Sequence, residues 1–245
     1  MKHIPNFITS LNLASGFFAA ILASNGDLSA ASWFIALAMI FDFCDGLSAR
    51  LLKAYSDIGK ELDSLADIVS FGVAPAIILF KMIDNSSGSM FSASAFSAAG
   101  IMPFIYHLVP VFMPVSAGFR LAKFNIDSTQ TLSFKGLPTP ANAIAVISLV
   151  LSANYCDSAF IRSLAGSPLF ITLFTLTLSI LMVTRIPLLS LKTKHLRFKG
   201  NEGRYILLAV VIISFLISGF AAAPLIIPLY LIVSLGSRVI FNQAN

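Results

Sequence analysis

The chain has 245 residues, of which 57% are hydrophobic and 11% are charged, whereas soluble domains carry charge on about a quarter of their residues. This composition excludes an ordinary soluble protein and predicts an integral membrane protein. No polar stretch is long enough to fold separately in water, so we expect a single membrane-embedded domain over residues 1–245. The net charge of +5 lies in short segments between apolar runs, so a nucleic-acid partner is not expected.

Apolar runs of membrane-spanning length recur along the whole sequence. A bilayer core about 30 Å thick requires about 20 apolar residues per helix, and backbone groups inside it must be bonded within their own segment. The runs predict an all-α protein with about eight transmembrane helices. They lie near residues 7–24, 30–52, 64–82, 95–121, 139–155, 167–186, 204–220 and 224–241.

The Lys and Arg residues predict how these spans are oriented. Short cytoplasmic loops retain basic residues, so basic residues should occupy alternate connections. All of the 16 basic residues except Lys81 and Arg162 fall near a terminus or in alternate connections. We therefore expect both termini, and the loops that carry Arg50, Arg120 and residues 185–204, to face the cytoplasm. The expected location is the cytoplasmic membrane of a prokaryote, because the chain is short and shows no organelle-targeting presequence.

The acidic residues are concentrated in one part of the chain. Six of the eleven Asp and Glu residues lie between positions 42 and 67. Four of them fall within predicted helices: Asp42, Asp45, Asp63 and Asp67. A carboxylate at the centre of a span costs about 2.5 to 3.5 kcal/mol, so it is rarely retained there without a function. Asp57 and Glu61 lie in or near the polar turn, and ion pairing at helix ends accounts for them.

The spacing of the four acids predicts that their carboxylates converge. Asp42 and Asp45 are three residues apart and Asp63 and Asp67 are four apart, so each pair shares one face of its helix. The short connection between the two helices favours an antiparallel hairpin, which turns the two faces toward each other. Oxygen ligands in this number suit Mg²⁺, Mn²⁺ or Ca²⁺, whereas zinc would favour His or Cys.

Small residues and an arginine flank these acids. Gly46 follows Asp45, and Gly59 lies four residues before Asp63, so a backbone or a ligand can approach closely at both positions. Arg50 lies one turn beyond Gly46, where its guanidinium can hold a phosphate that a metal also binds. A metal, an arginine and small residues together predict a diphosphate site.

The acidic segment has a defined spacing over its whole length. It reads Asp42, two residues, Asp45-Gly46, two residues, Ala49-Arg50, eight residues, Gly59, three residues, Asp63, three residues and Asp67. This pattern resembles the signature of the CDP-alcohol phosphatidyltransferase family at every defined position, and eight fixed residues form a specific signal. The flanking residues 4–9, 63–75, 118–125 and 136–140 are similar to the phosphatidylserine synthase branch of that family.

The resemblance implies a reaction and a set of site residues. Asp42, Asp45, Asp63 and Asp67 would surround two divalent ions, Mn²⁺ or Mg²⁺, that bind the diphosphate of CDP-diacylglycerol. Contacts to CDP-diacylglycerol would come from Asn6, Thr9, Gly46, Ala49, Arg50 and Gly59. Asp67 would be the general base that activates the hydroxyl of L-serine. The resemblance also implies a family core over about residues 4–190, additional C-terminal helices over 204–241 and a homodimer among membrane lipids.

The acceptor is the part of this hypothesis that the residues constrain least. The carboxylate of serine needs a cation, for which Arg120 is the first candidate, with Lys123 and Asn125 nearby. Glycerol 3-phosphate and inositol phosphate remain alternatives, although a phosphorylated acceptor would require a more basic pocket. A divalent-cation transporter remains an alternative of a different class, and it predicts acidic or polar residues that continue through the outer halves of the spans.

Overall fold

The computed structural model describes residues 3–88, 101–126, 134–188 and 201–241. The α-helices of this part of the chain are α1 (His3–Ser24), α2 (Leu28–Leu51), α3 (Asp57–Asp67), α4 (Ala74–Ser87), α5 (Ile101–Leu108), α6 (Phe112–Ile126), α7 (Thr139–Tyr155), α8 (Ala159–Ala165), α9 (Pro168–Val183), α10 (Glu202–Ser218) and α11 (Ile226–Phe241). A π-helix (Ile68–Val73) joins α3 to α4, and 3₁₀-helices join α5 to α6 (Val109–Val111) and α10 to α11 (Gly219–Leu225). The two-residue strands β1 (Phe134–Lys135) and β2 (Pro187–Leu188) pair antiparallel. The predicted all-α membrane class is confirmed.

The predicted count of eight spans is not confirmed. Five helical stretches of the described residues are long and apolar enough to cross a membrane, or six if α8 and α9, which meet at a 74° bend, form one span. The helix α7, which matches the predicted span 139–155, has only 17 residues, fewer than the roughly 20 that a bilayer core requires. The first part of the predicted span 95–121 lies outside the described residues, as does most of the basic run 185–204.

The C-terminal stretch Glu202–Ser237 is one of those five helical stretches, but it is not one straight helix. Its two helices, α10 and α11, contact each other. In one continuous helix, which rises about 1.5 Å per residue, the residues of α10 and α11 would lie too far apart to contact each other. The chain therefore folds back at Gly219–Leu225, as the predicted break near residues 221–223 requires.

Side-chain caps define the ends of the helices that carry the acids. Asp27 caps α2 by accepting a hydrogen bond from the Ala30 N–H at 3.0 Å. Ser56 caps α3 by accepting one from the Gly59 N–H, also at 3.0 Å. Each cap satisfies a backbone donor that a helix start leaves unpaired. The connection between α2 and α3 spans only residues 52–56, and α1 packs against both helices.

The continuous helical stretch Asp57–Ser87 lies at the centre of the bundle. In its most apolar part 67% of the residues are buried, compared with 17% in the most apolar part of Glu202–Ser237. Its fully buried side chains include Phe71, Ile78, Leu79 and Ile83. The acids Asp63 and Asp67 therefore belong to the best-packed helix, whereas the C-terminal helices lie at the periphery with apolar side chains exposed.

The π-helix that follows Asp67 is fixed by contacts on two sides. A methyl group at Gly16 of α1 would overlap the Ser70 side chain and lie 2.6 Å from the Ser70 Cα atom, so the two helices cross at close range. The Ser70 hydroxyl donates to the Asn12 carbonyl oxygen at 3.0 Å. On the other side, Asn142 Nδ2 of α7 donates to the Phe71 carbonyl oxygen at 3.1 Å. Carbonyl groups displaced by a π-helix need such partners, and π-helices are frequent at functional sites.

Candidate active site

Three of the four predicted carboxylates meet between α2 and α3. Asp42, Asp63 and Asp67 each offer one carboxylate oxygen, and these oxygens lie within 4.8 Å of one another. Asp45 lies beside this group, because Asp63 and Thr9 of α1 are its electrostatic neighbours. The helical spacing in the sequence thus brings acids from two helices together, as predicted.

The oxygens of this cluster suit a hard divalent cation. Asp45 and Asp67 are only 6% and 8% exposed. Among the described residues, no hydrogen-bond donor reaches Asp45 Oδ2 or Asp67 Oδ1, although both atoms are buried. Buried and half-buried carboxylates at this separation repel one another unless a cation offsets their charge. Because the side chains that meet here offer carboxylate oxygens, Mg²⁺ and Mn²⁺ fit the site better than zinc does.

The helix α1 brings two predicted residues to the acids. Thr9 is buried, and its Oγ1 atom lies 3.0 Å from the Pro5 carbonyl oxygen as well as beside Asp45. Asn6 lies against α3, where a Cβ atom at Gly59 would be 2.8 Å from Asn6 Oδ1. Gly59 therefore allows α1 to approach α3 closely, and Asn6 fills the space that the glycine leaves.

Gly46 differs from Gly59 because it faces open space. A Cβ atom at Gly46 would meet no atom within 4 Å. Ala49 is partly buried and Arg50 is exposed, and both lie in the last turns of α2. A ligand can thus approach the α2 backbone directly after Asp45.

Arg120 of α6 lies near the acid cluster. Its guanidinium interacts electrostatically with Asp67 and with Tyr230 of α11. The Arg120 Nε atom is buried, and no acceptor among the described residues bonds it. Tyr230 is 5% exposed, so its side chain lies inside the bundle. The sequence did not single out Tyr230, because nothing marks one tyrosine of an apolar helix as a neighbour of the site.

The other two predicted serine ligands have different surroundings. Lys123 is exposed. Asn125 Nδ2 donates to Ser64 Oγ at 2.9 Å and to Glu61 Oε2 at 3.4 Å. Lys60 Nζ donates to the Asn125 carbonyl oxygen at 3.0 Å. These contacts hold the end of α6 against α3, so Asn125 supports the helix that carries Asp63 and Asp67.

Sequence reasoning missed Thr139, the first residue of α7. Its hydroxyl donates to Asp67 Oδ2 at 3.3 Å, and its side chain is 1% exposed. The signal for it lies in residues 136–140, whose resemblance to the family indicates no particular role for Thr139. Through Thr139, this segment contacts the site.

A multi-pass helical membrane protein with a cluster of buried carboxylates is the class that this fold and site define. A sequence profile of the CDP-alcohol phosphatidyltransferase family matches residues 2–180, and the chain belongs to this family. It is 32% identical over 205 residues to the CDP-diacylglycerol–serine O-phosphatidyltransferase of Bacillus subtilis, a match that covers 84% of this chain and 99% of that protein.

Two further relatives extend this comparison. The CDP-diacylglycerol–serine O-phosphatidyltransferase of Helicobacter pylori is 29% identical over 249 residues, covering 98% of this chain and 94% of that protein. The archaetidylserine synthase of Methanothermobacter thermautotrophicus is 33% identical over 172 residues, covering 69% of this chain and 67% of that protein. The similarity to the Helicobacter protein therefore extends over almost the entire chain.

Proposed function

We propose that this protein is a phosphatidylserine synthase of phospholipid biosynthesis. It transfers the phosphatidyl group of CDP-diacylglycerol to the hydroxyl group of L-serine and releases CMP. The observation that carries the proposal is the meeting of Asp42, Asp63 and Asp67 on the family signature. Relatives from Bacillus, Helicobacter and Saccharomyces carry the name CDP-diacylglycerol–serine O-phosphatidyltransferase, which makes serine the best-supported acceptor.

The four acids Asp42, Asp45, Asp63 and Asp67 would hold two divalent ions, Mn²⁺ or Mg²⁺. The carboxylate donor set and the buried Oδ2 atom of Asp45, which lacks a donor among the described residues, support this assignment. When bound, such ions would offset the negative charge of the diphosphate and of the departing CMP.

The nucleotide end of CDP-diacylglycerol would lie over the exposed backbone of α2. The open space at Gly46 supports this placement, because a phosphate can approach there without meeting a side chain. Arg50 would bind a phosphate through its fork of donors, and the acyl chains would stay among the membrane lipids. The full set of proposed contacts is Asn6, Thr9, Gly46, Ala49, Arg50 and Gly59, with Gly59 acting through the position of Asn6.

Asp67 is the proposed general base. Its buried Oδ1 atom has no donor among the described residues and can accept the proton of the serine hydroxyl. The serine oxygen then bonds to the phosphorus of the phosphatidyl group while the bond from that phosphorus to the CMP oxygen breaks. A hydroxyl is a weak nucleophile until a positioned base takes its proton, so Asp67 would control the rate of transfer.

Arg120 is the proposed partner of the serine carboxylate. Its position beside Asp67 and its buried Nε donor support this role, because charge-assisted hydrogen bonds to carboxylates are strong. Lys123 and Asn125 are secondary candidates, because Lys123 is exposed and the Asn125 amide already bonds Ser64. With Arg120 as the principal cation here, the pocket suits a carboxylate better than the phosphate of glycerol 3-phosphate or inositol phosphate.

We further propose that the site faces the cytoplasm in the cytoplasmic membrane, with both termini on that side. The exposed basic residues Arg50, Lys53 and Lys60 flank the turn between α2 and α3, where the positive-inside rule expects them. The family resemblance also favours a homodimer.

The test is CMP release by the purified protein with CDP-diacylglycerol and Mn²⁺. L-Serine, glycerol 3-phosphate and inositol phosphate are compared at equal concentration. Release that depends on serine supports the proposal. Release with another acceptor alone contradicts the serine assignment, and release with none of them contradicts the enzymatic function.

A further inference from the structure

The hydroxyl of Thr139 makes an unusual contact for a buried helical threonine in this protein. Thr175 points its hydroxyl back to the carbonyl oxygen of Ile171 in its own helix, at 2.7 Å. Such bonds to the preceding turn are the usual choice for a threonine inside a helix. Thr139 begins α7 and has no preceding turn to bond, so its hydroxyl is available to Asp67 Oδ2, 3.3 Å away.

The segment before Thr139 is held rigidly against the end of α9. The Gly136 N–H donates to the Ile186 carbonyl oxygen at 2.8 Å, and the Leu137 N–H donates to the Leu181 carbonyl oxygen at 2.9 Å. Gly136 has a φ of +81°, and a Cβ atom there would lie 2.7 Å from the Met182 carbonyl oxygen, so the position requires glycine.

The start of α7 is equally constrained. Pro138 precedes Thr139 and Pro140 lies in the first turn of the helix, and a proline ring fixes φ at a value that suits a helix start. Leu137 and Thr139 are 0% and 1% exposed, so neither can swing away from the bundle without opening it. The Thr139 hydroxyl is therefore held in one place relative to Asp67.

We infer that Thr139 is a positioning residue that orients the carboxylate of Asp67. By donating to Oδ2, it leaves Oδ1 as the oxygen that can take the proton of the acceptor hydroxyl. This role lies outside the eight-residue signature and belongs to the first residue of α7. It rests on the proposed function, since it concerns the base of that reaction.

The experiment compares three variants of the full-length protein in the serine-dependent CMP-release assay. Thr139→Val removes the hydroxyl and keeps the shape of the side chain, whereas Thr139→Ser keeps the hydroxyl and removes the methyl group. Thr175→Val is the matched control, because Thr175 is also buried but its hydroxyl bonds the Ile171 carbonyl oxygen of its own helix.

We expect Thr139→Val to lower kcat about 10-fold, which corresponds to about 1.4 kcal/mol of activation free energy. The KM values for serine and CDP-diacylglycerol should change by less than about 2-fold, since an orienting bond to the base acts on the reaction step. Thr139→Ser should restore most of kcat, and Thr175→Val should keep the wild-type value. Should Thr139→Val fail to fold, Thr139→Ala removes the same hydroxyl from a smaller side chain.

The other outcomes separate this inference from the proposed function. If the wild-type protein shows no serine-dependent release, the proposed function and the inference fail together. If the wild type is active and Thr139→Val keeps its kcat, the inference alone is overturned. Equal losses in Thr139→Val and Thr139→Ser would also overturn it, because the methyl group and not the hydroxyl would then matter. A change confined to KM, with kcat unchanged, would overturn the inference as well.

Discussion

Replacing Gly46 with alanine should weaken the binding of CDP-diacylglycerol without destabilising the protein. In the structure, a Cβ atom at Gly46 meets no atom within 4 Å, so the methyl group fits the protein alone. Alanine in a helix interior is more favourable than glycine by about 0.5 to 1 kcal/mol. The thermal unfolding midpoint of Gly46→Ala should therefore equal or exceed that of the wild type.

The same methyl group would occupy the space that we assign to the nucleotide and its phosphates. Overpacking by one methyl group costs about 1 to 3 kcal/mol, which corresponds to a rise of about 5- to 150-fold in the KM for CDP-diacylglycerol. The assay is CMP release at saturating serine over a range of CDP-diacylglycerol concentrations.

Gly236→Ala provides the control for this prediction. Gly236 also lies inside a helix and would also meet no atom within 4 Å, but it belongs to α11. We expect the control to keep the wild-type KM. If Gly46→Ala also keeps the wild-type KM, the space over Gly46 is not the nucleotide site and the placement of the substrate on α2 is wrong.

Four further predictions concern other parts of the site and fold. Tyr230→Phe removes a hydroxyl that interacts electrostatically with Arg120 and should raise the KM for serine about 2- to 12-fold, the effect of losing one polar interaction of about 0.5 to 1.5 kcal/mol. Gly16→Ala should lower the unfolding midpoint sharply, because its methyl group would lie 2.6 Å from the Ser70 Cα atom and overpacking costs about 1 to 3 kcal/mol or more. Asn125→Ala should destabilise the protein by about 1 kcal/mol in thermal unfolding, because it loses bonds to α3. Removal of metal by EDTA should abolish CMP release, and Mn²⁺ or Mg²⁺ should restore it.

Each of these predictions has an outcome that contradicts it. An unchanged KM for serine in Tyr230→Phe would show that α11 does not contribute to the acceptor site. A wild-type unfolding midpoint in Gly16→Ala would contradict the close crossing of α1 and the π-helix. If Asn125→Ala keeps its stability but loses serine binding, Asn125 is a serine ligand and not a support for α3. Full activity in EDTA would rule out the metal-bound site.

The meeting of the acids could be predicted because it depends on local geometry. Spacings of three and four residues place side chains on one face of a helix, and a short turn makes the two helices neighbours. Asp42 and Asp63 do come together, although α1 also packs against both of their helices. The same argument could not distinguish Gly46 from Gly59. Asn6 occupies the space beside Gly59 and not the space beside Gly46, and this depends on how α1 packs.

The contacts from distant parts of the chain could not be predicted. Thr139 follows Asp67 by 72 positions, and no periodicity relates the start of α7 to the end of α3. Tyr230 lies still further along the chain, in a peripheral helix. The number of spans could not be predicted for a related reason. Apolar composition gives the length of a run, but it does not give the bend between α8 and α9 or the short length of α7.

The most direct measurement of the central claim is the transfer of radiolabelled L-serine into lipid by the purified protein with CDP-diacylglycerol and Mn²⁺. Asp67→Asn is compared with Asp157→Asn, whose carboxylate is exposed and pairs with Arg162 at 2.8 Å. We predict that the wild type and Asp157→Asn label the lipid fraction only when CDP-diacylglycerol is present, and that Asp67→Asn is slower by about 100- to 10,000-fold. Labelling by Asp67→Asn near the wild-type rate, or no labelling by the wild type, would contradict the account.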